Sequence, residues 1–130
     1  MAKLIKKNGQ EKPKLMTVRK YGTNDNIDIT YASINVNIIE LTDGTFDWDC
    51  LELPKFALNN IYKADNDIKY SVLVSHIIKA YYNDNQMTAI INNYLLEPEY
   101  ESYKNEFNKM QKVRKLAKDT VKEIITNNLF

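Results

Sequence analysis

The sequence predicts an α+β fold: a small N-terminal antiparallel β-sheet or hairpin, followed by about four helices, of which the last is long. Between residues 27 and 38, apolar and polar residues alternate, which is the period of a half-buried strand. From residue 54 onwards, apolar residues recur every three or four positions, which is the period of an amphipathic helix. The first 16 residues follow neither period and are basic, and they predict a flexible N-terminal arm.

Length and composition indicate one globular domain. The chain has 130 residues, of which 44% are hydrophobic and 27% charged, so it can bury a core. We therefore divide it into a basic arm (1–16) and a single α+β domain (17–130). Within that domain, residues 17–52 are rich in predicted strands, and residues 54–130 are helical.

Several classes of protein are disfavoured by the same composition. The net charge is +1, so the molecule as a whole is not strongly attracted to nucleic acid or to an anionic membrane. A single cysteine, Cys50, allows no internal disulfide, and a single histidine, His76, makes zinc or triad chemistry improbable. We find no apolar run long enough to span a membrane and no apolar core of a signal peptide. We expect a cytoplasmic protein, or a virion protein if a phage encodes it, with no cofactor and no membrane partner.

The strand region carries two signals beyond alternation. The apolar parity changes between Tyr31 and Ile34, which predicts a bulge or a break near residues 32–33. Asp43 and Gly44 form the pair that a two-residue type I′ turn prefers. Such a turn would pair Leu41 with Phe46 and would set Glu40 opposite Asp47.

Helix-breaking and helix-capping residues mark the ends of the predicted helices. Pro54 suits the first position of a helix, and residues 65–67 break that helix and can cap the next one. Residues 68–82 are apolar nearly all round and predict a buried helix, and residues 87–95 predict an amphipathic one. The last helix, over residues 98–126, has its acidic residues near the start, where the helix dipole favours them.

The last helix is too long for the small body on which it can pack, so we expect one end to project. Its first half carries Tyr103, Phe107 and Met110 on the apolar stripe and is expected to pack on the body. Its second half, from Ala117 onwards, is slimmer and flanked by lysines, and is expected to meet a partner. Arg114 occupies a position of the stripe where an apolar residue would be expected.

Two charged segments could bind ligands. The acidic segment 43–49 resembles a calcium loop superficially, but its acids and glycine do not have EF-hand spacing, so a solvated acidic face is preferred over a weak cation site. The segment 109–118 contains five basic residues, which could contact phosphates but do not form one stripe on a helix. With only two arginines in the chain, reading of a specific DNA sequence is not expected.

No catalytic constellation or phosphate-binding loop is visible, so we do not expect an enzyme. The leading hypothesis is a structural or assembly protein, for example a virion component of a tailed phage. Residues 1–20 carry a net charge of +6 and residues 21–68 one of −7, and such surfaces on identical subunits can attract each other. We expect a homo-oligomer or a component of a larger complex.

The alternative is a nucleic-acid-associated accessory protein that contacts phosphates through the arm and the 109–118 helix. The candidate partner-binding residues are Lys3, Lys6, Lys7, Lys12, Lys14, Lys112, Lys115, Lys118 and Val121.

Overall fold

A computed structural model describes residues 3–23, 26–53 and 64–130 of the chain. Four strands come first in this part of the chain: β1 (Lys3–Gly9), β2 (Met16–Tyr21), β3 (Asp28–Glu40) and β4 (Phe46–Glu52). The helices that follow are α1 (Asn66–Tyr81), α2 (Asp84–Leu96) and α3 (Glu101–Thr126). The α+β class and the long last helix are therefore confirmed. The additional helix that was predicted to begin at Pro54 lies outside the described residues.

The four strands form one antiparallel sheet in the order β1-β4-β3-β2. The flexible arm is not confirmed, because the first described residues form edge strand β1, which pairs along its whole length with β4. Pairing sets Lys6 opposite Asp49, and opposite charges on facing strands stabilise a sheet. The positive N-terminal residues thus meet the acidic strand of the same chain. Lysines on an edge strand also discourage pairing with another chain.

Strand β3 contains two irregularities that bend the sheet. Opposite β2, the register shifts between Arg19 and Lys20, so that Thr30 is the extra residue on β3. Opposite β4, two residues, Asn37 and Ile38, face one, and Asn37 adopts a positive φ of 54°. The predicted phase change is therefore real, but the bulge lies at Thr30 rather than near residues 32–33, and β3 continues without a break.

The β3–β4 hairpin is confirmed, but its predicted turn and register are wrong. The Gly44 amide donates to the Leu41 carbonyl, and the Leu41 amide donates to the Thr45 carbonyl, which defines a three-residue loop. Gly44 has a φ of +85°, whereas Asp43 does not adopt the positive φ that a type I′ turn requires. The longer loop shifts the register by one residue, so Glu40 faces Phe46 instead of Asp47 and a like-charge pair is avoided.

We predict that Gly44→Val lowers the free energy of unfolding by about 1–3 kcal/mol, because a β-branched residue is strained at positive φ. A Cβ at this position would meet no atom within 4 Å, so backbone strain alone is responsible. Urea denaturation measures the change, and Gly44→Asn is the control, because asparagine tolerates the left-handed region. Equal stability of the valine variant and the parent would contradict this turn geometry.

The helix starts follow local capping chemistry. The Asp65 side chain accepts a hydrogen bond from the Ile68 amide at 2.9 Å and caps α1. Asn83 caps α2 in a reciprocal box with Gln86, with hydrogen bonds of 2.7 and 2.8 Å. Both caps satisfy amides that the first helical turn leaves without partners. Helix α3 starts at Glu101, three residues after the predicted start, because Pro98 and Glu99 form a turn before it.

The core lies between one face of the sheet and two helices. Residues of α1 and of the C-terminal half of α3 pack on apolar residues of β3 and β4. The principal members are Ile29, Ile34, Val36, Leu51, Leu73, Ile77, Ala117, Val121 and Ile124. No helix in the described part of the chain is both long and apolar enough to cross a membrane.

One end of α3 does project, but it is the opposite end from the one predicted. The C-terminal half buries Ala117, Val121 and Ile124 completely. In the N-terminal half, Met110 is buried as predicted, but Tyr103 and Phe107 are only half-buried. Small side chains such as Ala117 let the helix backbone approach the sheet closely, which bulky aromatic residues do not allow. The helix has 26 residues and is about 39 Å long, and the part before Met110 extends beyond the core.

Candidate functional site

The projecting half of α3 pairs with α2, and together they form a helical hairpin outside the core. Helix α2 buries none of its 13 residues, although its sequence is largely apolar. In the hairpin, the rings of Tyr94 and Phe107 stack in parallel, with centroids 4.2 Å apart. The hairpin is thus held by its own contacts and carries apolar residues that its parent domain does not cover.

The most exposed apolar residues lie at the end of this hairpin. We define the helical tip as residues 95–101, which comprise the end of α2, the turn and the first residue of α3. Leu95 is 70% exposed, Leu96 is 80% exposed and Tyr100 is 55% exposed. Contiguous exposed apolar residues mark interaction surfaces more often than isolated ones do. The helical tip is the principal candidate site.

The helical tip has a defined geometry. The Glu97 amide donates to the Asn93 carbonyl and ends α2, and the Tyr100 amide donates to the Glu97 carbonyl to close the turn. The ring of Tyr100 meets that of Tyr103 edge-to-face, with centroids 4.7 Å apart. Aromatic pairs of this kind contribute about 0.5–1.5 kcal/mol beyond their buried area. The exposed residues are therefore presented on an ordered turn.

The helical tip is also acidic. Glu97, Glu99 and Glu101 are all exposed, and residues 95–101 contain no basic residue. These acids lie near the N-terminus of α3, where the helix dipole favours negative charge. The surface that the tip offers to a partner is thus an apolar patch with a negative rim.

The N-terminal candidate residues are distributed over two places. Lys3, Lys6 and Lys7 lie on β1, and Lys12 and Lys14 lie in the β1–β2 connection. The ammonium of Lys6 is 3.5 Å from a carboxylate oxygen of Asp49. The Lys14 carbonyl accepts a hydrogen bond from the Asn35 side chain at 2.6 Å. Lys3, Lys6 and Lys7 therefore belong to the sheet, and Lys14 is tied to it through its carbonyl, so these residues do not form a free basic arm.

The candidates on α3 are not brought together either. Lys112, Lys115 and Lys118 are exposed, and Lys115 pairs with Asp119 at 2.8 Å. This pair raises the pKa of Lys115 and lowers the pKa of Asp119, in both cases mainly through their side-chain hydrogen bond. Val121 is 0% exposed and belongs to the core, so its proposed role as a surface contact is corrected.

The acidic segment 43–49 places each carboxylate beside a different donor. Asp43 accepts from the hydroxyl of Thr45 at 2.6 Å and from its amide at 2.9 Å, and the hydroxyl contact is the main cause of the lowered pKa of Asp43. Asp47 accepts from the side chain of Asn8 at 2.6 Å. Within the described residues, no group of three or more histidine, cysteine or acidic side chains could hold a metal ion.

Asp49 is the buried member of that segment, and it ties the sheet to α1. The hydroxyl of Tyr81 donates to its carboxylate at 2.5 Å. Burial is the main cause of the raised pKa of Tyr81, and the neighbouring Asp49 adds to it. The phenol therefore stays protonated at neutral pH and acts as a hydrogen-bond donor.

Cys50 lies on β4, and His76 lies on α1. Cys50 is buried and unpaired. His76 is half-buried on α1, and burial is the main cause of its lowered pKa, followed by the charge of Lys79. Its imidazole is therefore neutral at pH 7.

The sequence contained part of the signal for the helical tip. Leu95 falls on the apolar stripe of α2, so periodicity predicts that it is covered. Leu96 lies beside that stripe, and an apolar residue there, next to Glu97 and Pro98, indicates a surface that needs a partner. Comparison of the chain with known protein families, with characterised proteins and with solved structures finds no match.

Proposed function

We propose that this chain is a non-enzymatic assembly protein whose copies associate through the helical tip. The observation that carries the proposal is the exposure of Leu95 and Leu96, at 70% and 80%, on an ordered projecting turn. Burying a leucine side chain is worth about 1.5–3 kcal/mol, so a contact that covers both is a strong source of affinity. A net charge of +1 lets identical subunits approach without strong repulsion.

This proposal moves the interaction surface away from the places that the sequence favoured. Lys6 lies opposite Asp49 of its own chain, and the apolar side of the C-terminal half of α3 lies in the core. Neither a free basic arm nor the apolar stripe around Val121 therefore carries the proposed association. The half of α3 that remains outside the core is the half that leads to the helical tip.

We predict that the double variant Leu95→Ser/Leu96→Ser is monomeric at concentrations where the parent associates. Both residues are exposed, so the thermal midpoint should stay within a few degrees of the parent value. Sedimentation velocity over a concentration series measures the association, and circular dichroism measures the melting.

Tyr21→Ser is the matched control, because Tyr21 is 76% exposed but lies on edge strand β2, away from the helical tip. It should leave the association unchanged. A parent that is monomeric throughout, or a tip double variant that associates like the parent, would refute the proposed function. A mass shift with duplex DNA that is equal in the parent and the tip variant, and falls steeply with salt, would favour the nucleic-acid alternative.

A further inference from the structure

A groove of about 520 Å³ lies where the three helices converge. Its apolar lining comes from Val74 and Ile78 on α1 and from Met87 and Ile91 on α2. Val74 is buried and the other three are half-buried, so the groove presents an apolar surface to a ligand. We call it the helical groove.

The rim of the helical groove is positively charged. Lys79 of α1 and Arg114 and Lys118 of α3 line it, against one acid, Asp84. Arg114 is half-buried, and within the described residues it has no hydrogen bond or ion pair. A half-buried guanidinium with five donors and no acceptor indicates a site that a carboxylate would complete.

Arg114 also stands where the sequence pattern calls for an apolar residue. The apolar stripe of α3 runs through Met110 and Ala117, and Arg114 lies between them on the same side of the helix. An apolar side chain there would extend the floor of the groove. The arginine instead brings a charge to the edge of that floor, which is the chemistry that recognises an acidic and apolar ligand.

The helical tip has the complementary chemistry. It combines exposed leucines and a tyrosine with Glu97, Glu99 and Glu101, and it has no basic residue. Arg114 and Glu101 are 13 residues apart on one continuous helix, about 20 Å. A rigid helix therefore prevents the tip from reaching the groove of its own copy.

We propose that the helical tip of one copy docks in the helical groove of a second copy, with its glutamates against Arg114, Lys118 and Lys79. This inference rests on the proposed function and adds the surface that receives the tip. Two different surfaces meet in such a contact, so each copy keeps one free tip and one free groove. Association then continues beyond the dimer, to a ring or to a filament.

The groove is tested with the double variant Arg114→Gln/Lys118→Glu. Charge pairs at interfaces contribute enough that the variant should associate at least about tenfold more weakly than the parent. Raising the salt concentration should weaken the parent in the same direction. Lys112→Glu is the matched control, because Lys112 is exposed on the same helix but does not line the groove, and it should associate like the parent.

Mixing the two defective proteins distinguishes this contact from other geometries. The variant Leu95→Ser/Leu96→Ser keeps an intact groove, and Arg114→Gln/Lys118→Glu keeps an intact tip. At a concentration where each variant alone is monomeric, an equimolar mixture should form a heterodimer and nothing larger. Sedimentation velocity measures the masses, and circular dichroism checks that both variants are folded.

Each remaining outcome separates the inference from the proposed function. If the tip variant is monomeric while the groove variant associates like the parent, the proposed function stands and the groove is not the receptor. If the mixture of the two variants stays monomeric although both are folded, the tip-in-groove contact is wrong. If the tip variant associates like the parent, both the proposed function and this inference fail.

Discussion

Val121→Asp is expected to unfold the chain or bring it close to unfolding. Val121 is 0% exposed and lies among the core residues that α3 contributes, next to Ala117 and Ile124. An uncompensated charge at such a position costs on the order of 3–5 kcal/mol, which approaches the whole stability of a domain of this size. Urea denaturation followed by circular dichroism measures the loss, and one-dimensional proton NMR shows whether packed methyl groups remain.

Two comparison variants locate the effect in the core. Gln111→Asp introduces the same side chain on the exposed face of α3 and should change the stability by less than about 0.5 kcal/mol. Phe107→Ala removes a half-buried ring that stacks on Tyr94, and should cost about 2 kcal/mol or less. If Phe107→Ala is the more damaging change, the body packs on the first half of α3 and this orientation of the helix is wrong.

Features that depend on neighbouring residues were predictable from the sequence. The caps at Asp65 and Asn83 and the break before α2 follow from side chains that bond amides three residues away. The existence of the β3–β4 hairpin follows from Asp43 and Gly44 between alternating segments. Its register was not predictable from that pair, because a three-residue loop with Gly44 at positive φ accepts the same two residues as a type I′ turn.

Features that depend on distant partners were not predictable. The residues of β1 have no regular alternation, and the strand exists because β4, which begins 37 residues after β1 ends, offers a free edge and opposite charges. The large side chains of Tyr103 and Phe107 suggested that this part of α3 packs on the core. The core instead includes Ala117 and Val121, which are smaller. The helical tip was only partly visible, because periodicity marks Leu95 as apolar without showing that nothing covers it.

Deletion of residues 2–9 is expected to destabilise the domain, because these residues include strand β1. The strand pairs with β4 over seven residues, and Leu4 packs against the core from its half-buried position. Loss of this apolar contact and of the ladder of hydrogen bonds should cost on the order of 3 kcal/mol or more. The deletion also exposes the edge of β4, which includes the apolar Leu51, so we expect aggregation as well. Urea denaturation and light scattering measure the two effects.

The double variant Lys6→Gln/Lys7→Gln separates the role of the strand from that of its charge. It keeps the backbone of β1, and the Lys6–Asp49 ion pair that it removes has a lysine that is 91% exposed, so the loss should be below about 1 kcal/mol. Asp49 still accepts the hydrogen bond from Tyr81. A basic arm outside the fold would give the opposite pattern: the deletion would leave the melting temperature unchanged, and neutralising the lysines would impair whatever the arm binds. A deletion variant that melts like the parent would therefore contradict the pairing of β1 with β4 and would favour a basic arm outside the fold.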